Sequence, residues 1–193
     1  MKKNNTFYAM LSRMKYIERW ALMRNSSKEN ISEHSLEVAI LAHALAIIGN
    51  IRLGKSYNTE YVAMLGVYHD CTEIITGDMP TPVKYDNEDI KEAYKRIEVN
   101  AANELLDMLP DDLREAYRPY FTENTDEDIK KIVKAADKLS ALIKCIEEEK
   151  MGNREFVLAK KTTMDSIISM HCEEADIFCD EFLGEYEKTL DEL

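Results

Sequence analysis

Apolar residues recur along this chain at spacings of three and four, and alternating runs of Val, Ile and Thr are absent, so the pattern is helical throughout. Phe7, Met10, Leu11, Met14 and Ile17 mark a first amphipathic helix that should end near Arg19-Trp20, followed by an irregular segment over residues 21–29. Asn30 with Glu33 three residues later suits a capping box. It opens a helix that is apolar almost all round from Leu36 to Ile48, which makes it the central one, with Gly49 as its stop. Another helix begins at Asn58 or Thr59, carries Tyr61, Met64, Leu65 and Tyr68 inward and ends near Gly77. Residues 76–84 hold Pro80 and Pro82 and read as a shaped loop. Ile90, Tyr94, Ile97, Ala101, Leu105 and Met108 mark a long helix closed by Pro110, and residues 111–121 add a shorter piece. Thr125 with Asp128 resembles a cap for a helix whose face carries Ile129, Ile132, Val133, Ala136, Leu139, Ser140 and Ile143, ended by Gly152-Asn153. Two last helices, over residues 155–170 and 173–189, complete the expected fold: all-α, in one domain of 193 residues.

Composition narrows what such a domain does. The formal net charge of −12, from 37 acidic and 25 basic residues, repels nucleic-acid backbones and anionic membranes, so polymeric nucleic acid is disfavoured as a partner. The longest uncharged run, residues 38–51, falls short of the roughly 18 apolar residues a bilayer core needs, and no transmembrane helix is expected. The polar start, with Ser12, Arg13 and Lys15 close behind, forms no apolar signal segment. Cys71, Cys145, Cys172 and Cys179 are scattered without a C-x-x-C pair and read as small buried hydrophobes with reduced thiols. The expected location is the cytoplasm.

Candidate chemistry begins with the four histidines, at positions 34, 43, 69 and 171. His69-Asp70 joins imidazole and carboxylate, a hard-to-intermediate ligand pair. If its helix persists to Ile75, Glu73 projects toward the same side. His34 and His43 are nine residues apart, about 180° around a helix, so one of them at most faces such a site. His34 sits in a polar first turn beside Ser32, Glu33 and Ser35, whereas His43 lies among apolar residues and reads as a core histidine. His171 reads as an exposed or capping residue. Asp137 stands about 100° from the centre of its helix's apolar stripe, and periodicity alone leaves it solvated.

His34, His69-Asp70 and Asp137 follow the H…HD…D order of HD-domain metal-dependent phosphohydrolases, an all-helical superfamily. Further stretches are more specific: Arg19-Trp20, Ser32-Glu33-His34-Ser35-Leu36, Tyr68-His69-Asp70, Glu73, Thr76-Gly77-Asp78, Pro80-Thr81-Pro82-Val83-Lys84-Tyr85 and Lys134-Ala135-Ala136-Asp137. Together they resemble the bacterial 5′-deoxynucleotidases, which dephosphorylate deoxyribonucleoside 5′-monophosphates. The likeness runs from about Phe7 to the helix around Lys160. It departs at Cys71-Thr72, where the family has a smaller residue and Ser, and in the last helices.

The resemblance implies that His34, His69, Asp70 and Asp137 ligate one divalent cation. Two neutral imidazoles and two carboxylates suit Mn²⁺, Co²⁺ or Fe²⁺ better than an all-oxygen Mg²⁺ cage. Glu73, outside the ligand set, is then the proton-handling carboxylate; without the family pattern it would be read as a surface or helix-pairing glutamate. For the substrate, the likeness implies Arg19 on the phosphate, Trp20 against the sugar where a 2′-hydroxyl would sit, Asp78 on the 3′-hydroxyl, and Thr81, Pro82, Val83 and Lys84 lining the pocket. Arg19-Trp20 would otherwise read as a basic pair closing a helix. It also implies a homodimer, to whose interface the Ile177, Phe178, Cys179 and Phe182 cluster could contribute or which it could leave by packing internally. Two other readings stand beside this one: an HD enzyme acting on a different nucleotide phosphoester, and a catalytically silent nucleotide-binding module.

Overall fold

A computed structural model describes residues 5–84, 87–121 and 126–193, with the backbone alone at Thr81 and Pro82. Among the described residues there is no β-strand, and one isolated antiparallel bridge joins Glu18 to Asn30. The all-α expectation holds. The helices are α1 (Phe7–Leu11), α2 (Ile31–Arg52), α3 (Thr59–Tyr68), α4 (Glu73–Thr76), α5 (Thr81–Lys84), α6 (Glu88–Asp107), α7 (Asp111–Tyr117), α8 (Glu127–Lys150), α9 (Val157–Ser169) and α10 (Glu173–Glu181), with short 3₁₀ turns between some of them.

The chain divides into two compact units. One comprises the described residues of Met1–Leu22, Lys28–Ser35 and Tyr68–Thr125, and the other Met23–Ser27, Leu36–Val67 and Asp126–Leu193. The first unit is built on Phe7, Met14, Ile31, Cys71, Leu105, Leu106 and Leu109, with Tyr68, Tyr117 and Phe121 packed against them. Phe7 meets the Tyr117 ring edge-on at 5.1 Å between centroids, an arrangement favoured by the ring quadrupoles. The second unit buries the apolar faces of α2, α8, α9 and α10 together. The α8 face expected from periodicity is the one buried there, and Ser140 within it donates to Glu37 Oε2 at 2.5 Å.

Several expected boundaries move, each for a local reason. The first helix stops at Leu11, passes through a 3₁₀ turn ending at Tyr16, and gives way to extended backbone at Ile17, because Ile17 and Arg19 pair with residues 29–31 instead. Gly49 does not end α2, which runs on to Arg52. A Cβ at Gly49 would stand 2.7 Å from the Tyr57 ring, so the glycine answers a close approach rather than a stop. Within α2, Leu36, Ile40, Ile47 and Ile51 are exposed, so this helix is central along one side only. It also has the length and hydropathy to cross a bilayer, contrary to the estimate from residues 38–51, yet 56% of its most apolar window is buried inside the fold, as in a core helix. The third helix closes at Tyr68, not near Gly77, and its buried side is Val62, Leu65 and Gly66, with Tyr61 and Met64 half-buried. The proline-bearing loop contains one helical turn, α5, which accepts Pro82 in its first turn, where a missing N–H costs little. The cap expected at Thr125 lies outside the described residues, as does Tyr85. Asp126 caps α8 by accepting from the Asp128 amide at 2.8 Å. The last helix ends at Glu181, and 3₁₀ turns follow. Phe178 and its neighbours Ile177 and Cys179 pack into the second unit's core, which leaves Phe182 as the exposed member of that cluster.

One buried ion pair fastens the segment over residues 23–27 within its unit. Glu148 is fully buried and accepts from Lys144 Nζ, from the Ser26 amide at 2.8 Å, from the Ser27 amide at 3.1 Å and from Asn153 Nδ2 at 2.8 Å. Burial raises its carboxyl pKa, but these donors outweigh that and hold it down at about 2. Glu148→Ala leaves the Lys144 charge in the core without its carboxylate, so the variant should lose about 3 to 5 kcal/mol at neutral pH. Because the folded-state pKa is depressed, the wild-type advantage is present above the unfolded value near 4.5 and fades as pH falls toward about 2. Urea denaturation of both proteins at pH 7 and in mild acid checks both statements.

Candidate metal centre

The first unit assembles its polar site from four short pieces. The expected capping box is present: Asn30 Oδ1 accepts from the amides of Ser32 at 3.0 Å and Glu33 at 3.1 Å, and Glu33 Oε2 accepts from the Asn30 amide at 3.1 Å. This fixes the start of α2 and buries His34 in its first turn. The second piece follows α3. The helix does not persist to Ile75. It breaks into tight turns in which the Cys71 amide bonds to the Tyr68 carbonyl at 3.2 Å and the Glu73 amide to the Asp70 carbonyl at 3.0 Å. Cys71 drops into the first unit's core, and the turn presents His69 and Asp70 to His34.

Three donor atoms converge there. His34 Nε2 lies 3.2 Å from His69 Nε2 and 3.4 Å from Asp70 Oδ2, and His69 Nε2 is 3.0 Å from the same oxygen. Ligands about 2.1 Å from a cation stand about 3.0 Å apart across an octahedral edge and about 3.4 Å across a tetrahedral one, so these separations fit one ion without rearrangement. The mixture of imidazole and carboxylate fits a divalent transition ion. Burial pushes the Asp70 carboxyl up, while the two imidazoles outweigh it and hold the group well below its ordinary range.

Glu73 opens α4 beside this group. Its Oε2 is buried with no hydrogen-bond partner, the kind of orphan atom that asks for a ligand or a proton. Burial first, then the charges of Asp70 and Asp78, push its carboxyl up to about 9, against the opposing pull of Arg19 and Lys84. Asp78 is raised as well, by burial and Asp70, with Arg19 again opposing. Lys84 donates to Glu98 Oε1 at 2.7 Å and lies 4.7 Å from the centre of the Tyr94 ring, while Val83 is half exposed. The side chains of Thr81 and Pro82 lie outside the described residues.

Arg19 and Trp20 do not end a helix. They sit in a bend just after the Glu18–Asn30 bridge, held by the Arg19 amide on the Glu29 carbonyl at 3.0 Å and the Ile31 amide on the Ile17 carbonyl at 3.0 Å. Trp20 has φ of 58°, a left-handed conformation that costs a bulky residue on the order of 1 to 3 kcal/mol and persists where surroundings hold it. Glu29 does the holding: its Oε2 accepts from Trp20 Nε1 at 2.9 Å and its Oε1 from Arg19 Nη1 at 2.9 Å. Sequence reasoning missed Glu29, whose signal was only a glutamate just before the Asn30 cap, five residues from His34. Asp137 falls in the other unit, half-buried on α8, where its carboxylate lies 3.9 Å from Lys138 Nζ. His43 is half-buried on α2 in that unit, and His171 is exposed in a left-handed conformation after α9.

The fold is that of HD-domain phosphohydrolases. A Listeria innocua HD-domain phosphohydrolase superposes with a TM-score of 0.82 at 22% identity, over 94% of this chain and 88% of that one. A cyanophage S-2L HD phosphohydrolase, solved with dA and one catalytic Zn²⁺, gives 0.67 at 19% identity over 94% and 96%. The model of the family described as 5′-deoxynucleotidase YfbR-like matches residues 6–186, and a Vibrio cholerae 5′-deoxynucleotidase is 50% identical over 97% of both chains. A Citrobacter koseri 5′-deoxynucleotidase is 48% identical over 99% of this chain and 96% of its own length. The chain belongs to the YfbR-like 5′-deoxynucleotidase family and is an enzyme of that class.

The raised Glu73 pKa has a thermodynamic consequence in metal-free protein. A carboxyl whose folded-state pKa exceeds its unfolded one stabilises fully below about pH 4.5 and loses that contribution as pH rises toward about 9. Metal-free Glu73→Gln should therefore match metal-free wild type near pH 4.5 and become the more stable of the two at pH 8, read by thermal unfolding in a chelator.

Proposed function

We propose that the enzyme hydrolyses deoxyribonucleoside 5′-monophosphates to deoxyribonucleoside and phosphate using one divalent ion, Mn²⁺ or Co²⁺ before Fe²⁺, held by His34, His69 and Asp70. The convergence of those three donor atoms beside the orphan Glu73 carboxyl carries this reading. Asp137 joins them on the strength of the family resemblance. When bound, such an ion acidifies water and offsets charge developing on the phosphoryl oxygens.

The chain's own residues supply the rest. Arg19, held by Glu29, offers a guanidinium fork matched to phosphate oxygens. Glu73 handles the proton: water adds to phosphorus, the bond to the 5′-oxygen breaks, and that oxygen leaves as a hydroxyl with the proton Glu73 governs. Asp78 accepts from the 3′-hydroxyl, and Thr81 to Lys84 line the nucleoside side. Trp20 stands where a 2′-hydroxyl would press. A hydroxyl buried there without a partner costs about 1 to 3 kcal/mol, which corresponds to roughly 5- to 150-fold discrimination. The four free cysteines accord with a cytoplasmic setting.

The deciding assay is phosphate release from dAMP and AMP by protein reconstituted with Mn²⁺ or Co²⁺. Wild type should favour dAMP. Glu73→Ala should keep its metal, by elemental analysis, and lose about 10²- to 10⁴-fold in kcat. Trp20→Ala should lower the dAMP/AMP ratio of kcat/KM. Equal rates on both nucleotides by wild type, or full metal content in a folded His69→Ala, Asp70→Ala double variant, would overturn the reading.

A homodimer is part of the proposal. The exposed Leu36, Ile40, Ile47 and Ile51, which share one side of α2, are the apolar surface that supports it, since stripes of this kind mark association sites. Light scattering at micromolar concentration should give twice the chain mass, and a monomer mass removes this part.

A further inference from the structure

Resting on that assignment of Arg19 and Trp20, we propose that Glu29 is the positioning residue that ties deoxyribose selectivity and phosphate binding to the metal ligand His34. Its carboxylate is mostly buried and serves three side chains at once. Oε2 accepts from Trp20 Nε1 at 2.9 Å, Oε1 accepts from Arg19 Nη1 at 2.9 Å, and the same Oε1 stands 3.4 Å from His34 Nδ1. The backbone reinforces this, since the Arg19 amide bonds to the carbonyl of Glu29 itself.

Each of the three contacts asks for a carboxylate. A guanidinium and an indole N–H can only donate, so the group between them must accept on both oxygens. His34 turns its Nε2 to His69 and Asp70, and an imidazole that gives the lone pair of Nε2 to a cation carries its proton on Nδ1, which then donates. Arg19 Nη1 also faces Nδ1, so in that state two donors meet, and Glu29 Oε1 is an acceptor in reach of both. An amide in its place offers one acceptor oxygen and sets an N–H₂ against either the indole or the guanidinium and imidazole. Trp20 depends on this anchor twice over, because its left-handed backbone does not favour the conformation by itself.

The test uses Glu29→Gln, which preserves size, beside Trp20→Ala and the double variant, each checked for a wild-type helical spectrum and melting transition. Two readouts separate positioning from general structural damage. In the first, the dAMP/AMP ratio of kcat/KM should fall in Glu29→Gln toward that of Trp20→Ala, with KM raised, and the double variant should match Trp20→Ala alone, because the carboxylate acts through the indole. In the second, calorimetric titration of metal-free protein with Mn²⁺ should show roughly 10- to 100-fold weaker binding in Glu29→Gln and unchanged binding in Trp20→Ala. A wild-type ratio together with wild-type Mn²⁺ affinity in Glu29→Gln overturns the proposal, and so does a double variant whose losses simply multiply. If Trp20→Ala leaves the ratio unchanged, the earlier assignment of Trp20 fails instead, and the Mn²⁺ titration alone then decides whether Glu29 supports His34.

Discussion

The site depends on an excess of buried negative charge. Asp70, Glu73 and Asp78 act on one another within one unit that also holds Glu29, and the cations acting on the four are Arg19, Lys84 and whatever charge the imidazoles carry. Carboxylates brought together away from water either find cations or take up protons. The arrangement shows both outcomes. Glu29 keeps its charge because Arg19 and His34 outweigh its burial, while Glu73, farther from a firm partner, is driven toward the protonated form. A divalent ion at the proposed ligands His34, His69 and Asp70 would relieve the same imbalance, which would make affinity for the ion and the state of the acid two expressions of one electrostatic constraint.

That local field resolves the apparent conflict between a chain of net charge −12 and an anionic substrate. Net charge governs the approach of polyanions such as nucleic-acid backbones, which sample the whole surface. A phosphate monoester samples a few ångströms. On the proposed reading, the guanidinium of Arg19, held by Glu29, and a divalent ion would set the sign of the potential there.

Much of this was legible in the residues themselves. The Asn30 and Glu33 box and the apolar face of α8 are local patterns, and each appears in the structure as read; of the H…HD…D set, His34, His69 and Asp70 come together in the first unit. The misreadings share a cause. Periodicity carried the third helix through His69 to Ile75, but burial of Cys71 in the first unit's core breaks it, and that break turns His69 and Asp70 toward His34. It likewise carried the first helix to Trp20, where pairing with residues 29–31 wins. Gly49 looked like a stop because the approach of Tyr57 cannot be seen along the chain. Glu29 was invisible for the same reason, since nothing in an irregular stretch announces that one carboxylate will receive an arginine, a tryptophan and a histidine.

The bridge between Glu18 and Asn30 also bears on the order in which the site can be assembled. Arg19 and Glu29 are 10 residues apart in sequence, whereas His34 and His69 are separated by 35. Closing the shorter loop is cheaper in chain entropy by about 1 kcal/mol, from the logarithmic dependence on loop length. The arms carrying Arg19, Trp20 and Glu29 therefore meet at a lower chain-entropy cost than the pairing of His34 with the later-delivered His69 and Asp70. The part proposed to grip the substrate is local in the chain, and the part proposed to hold the ion waits for the fold to close.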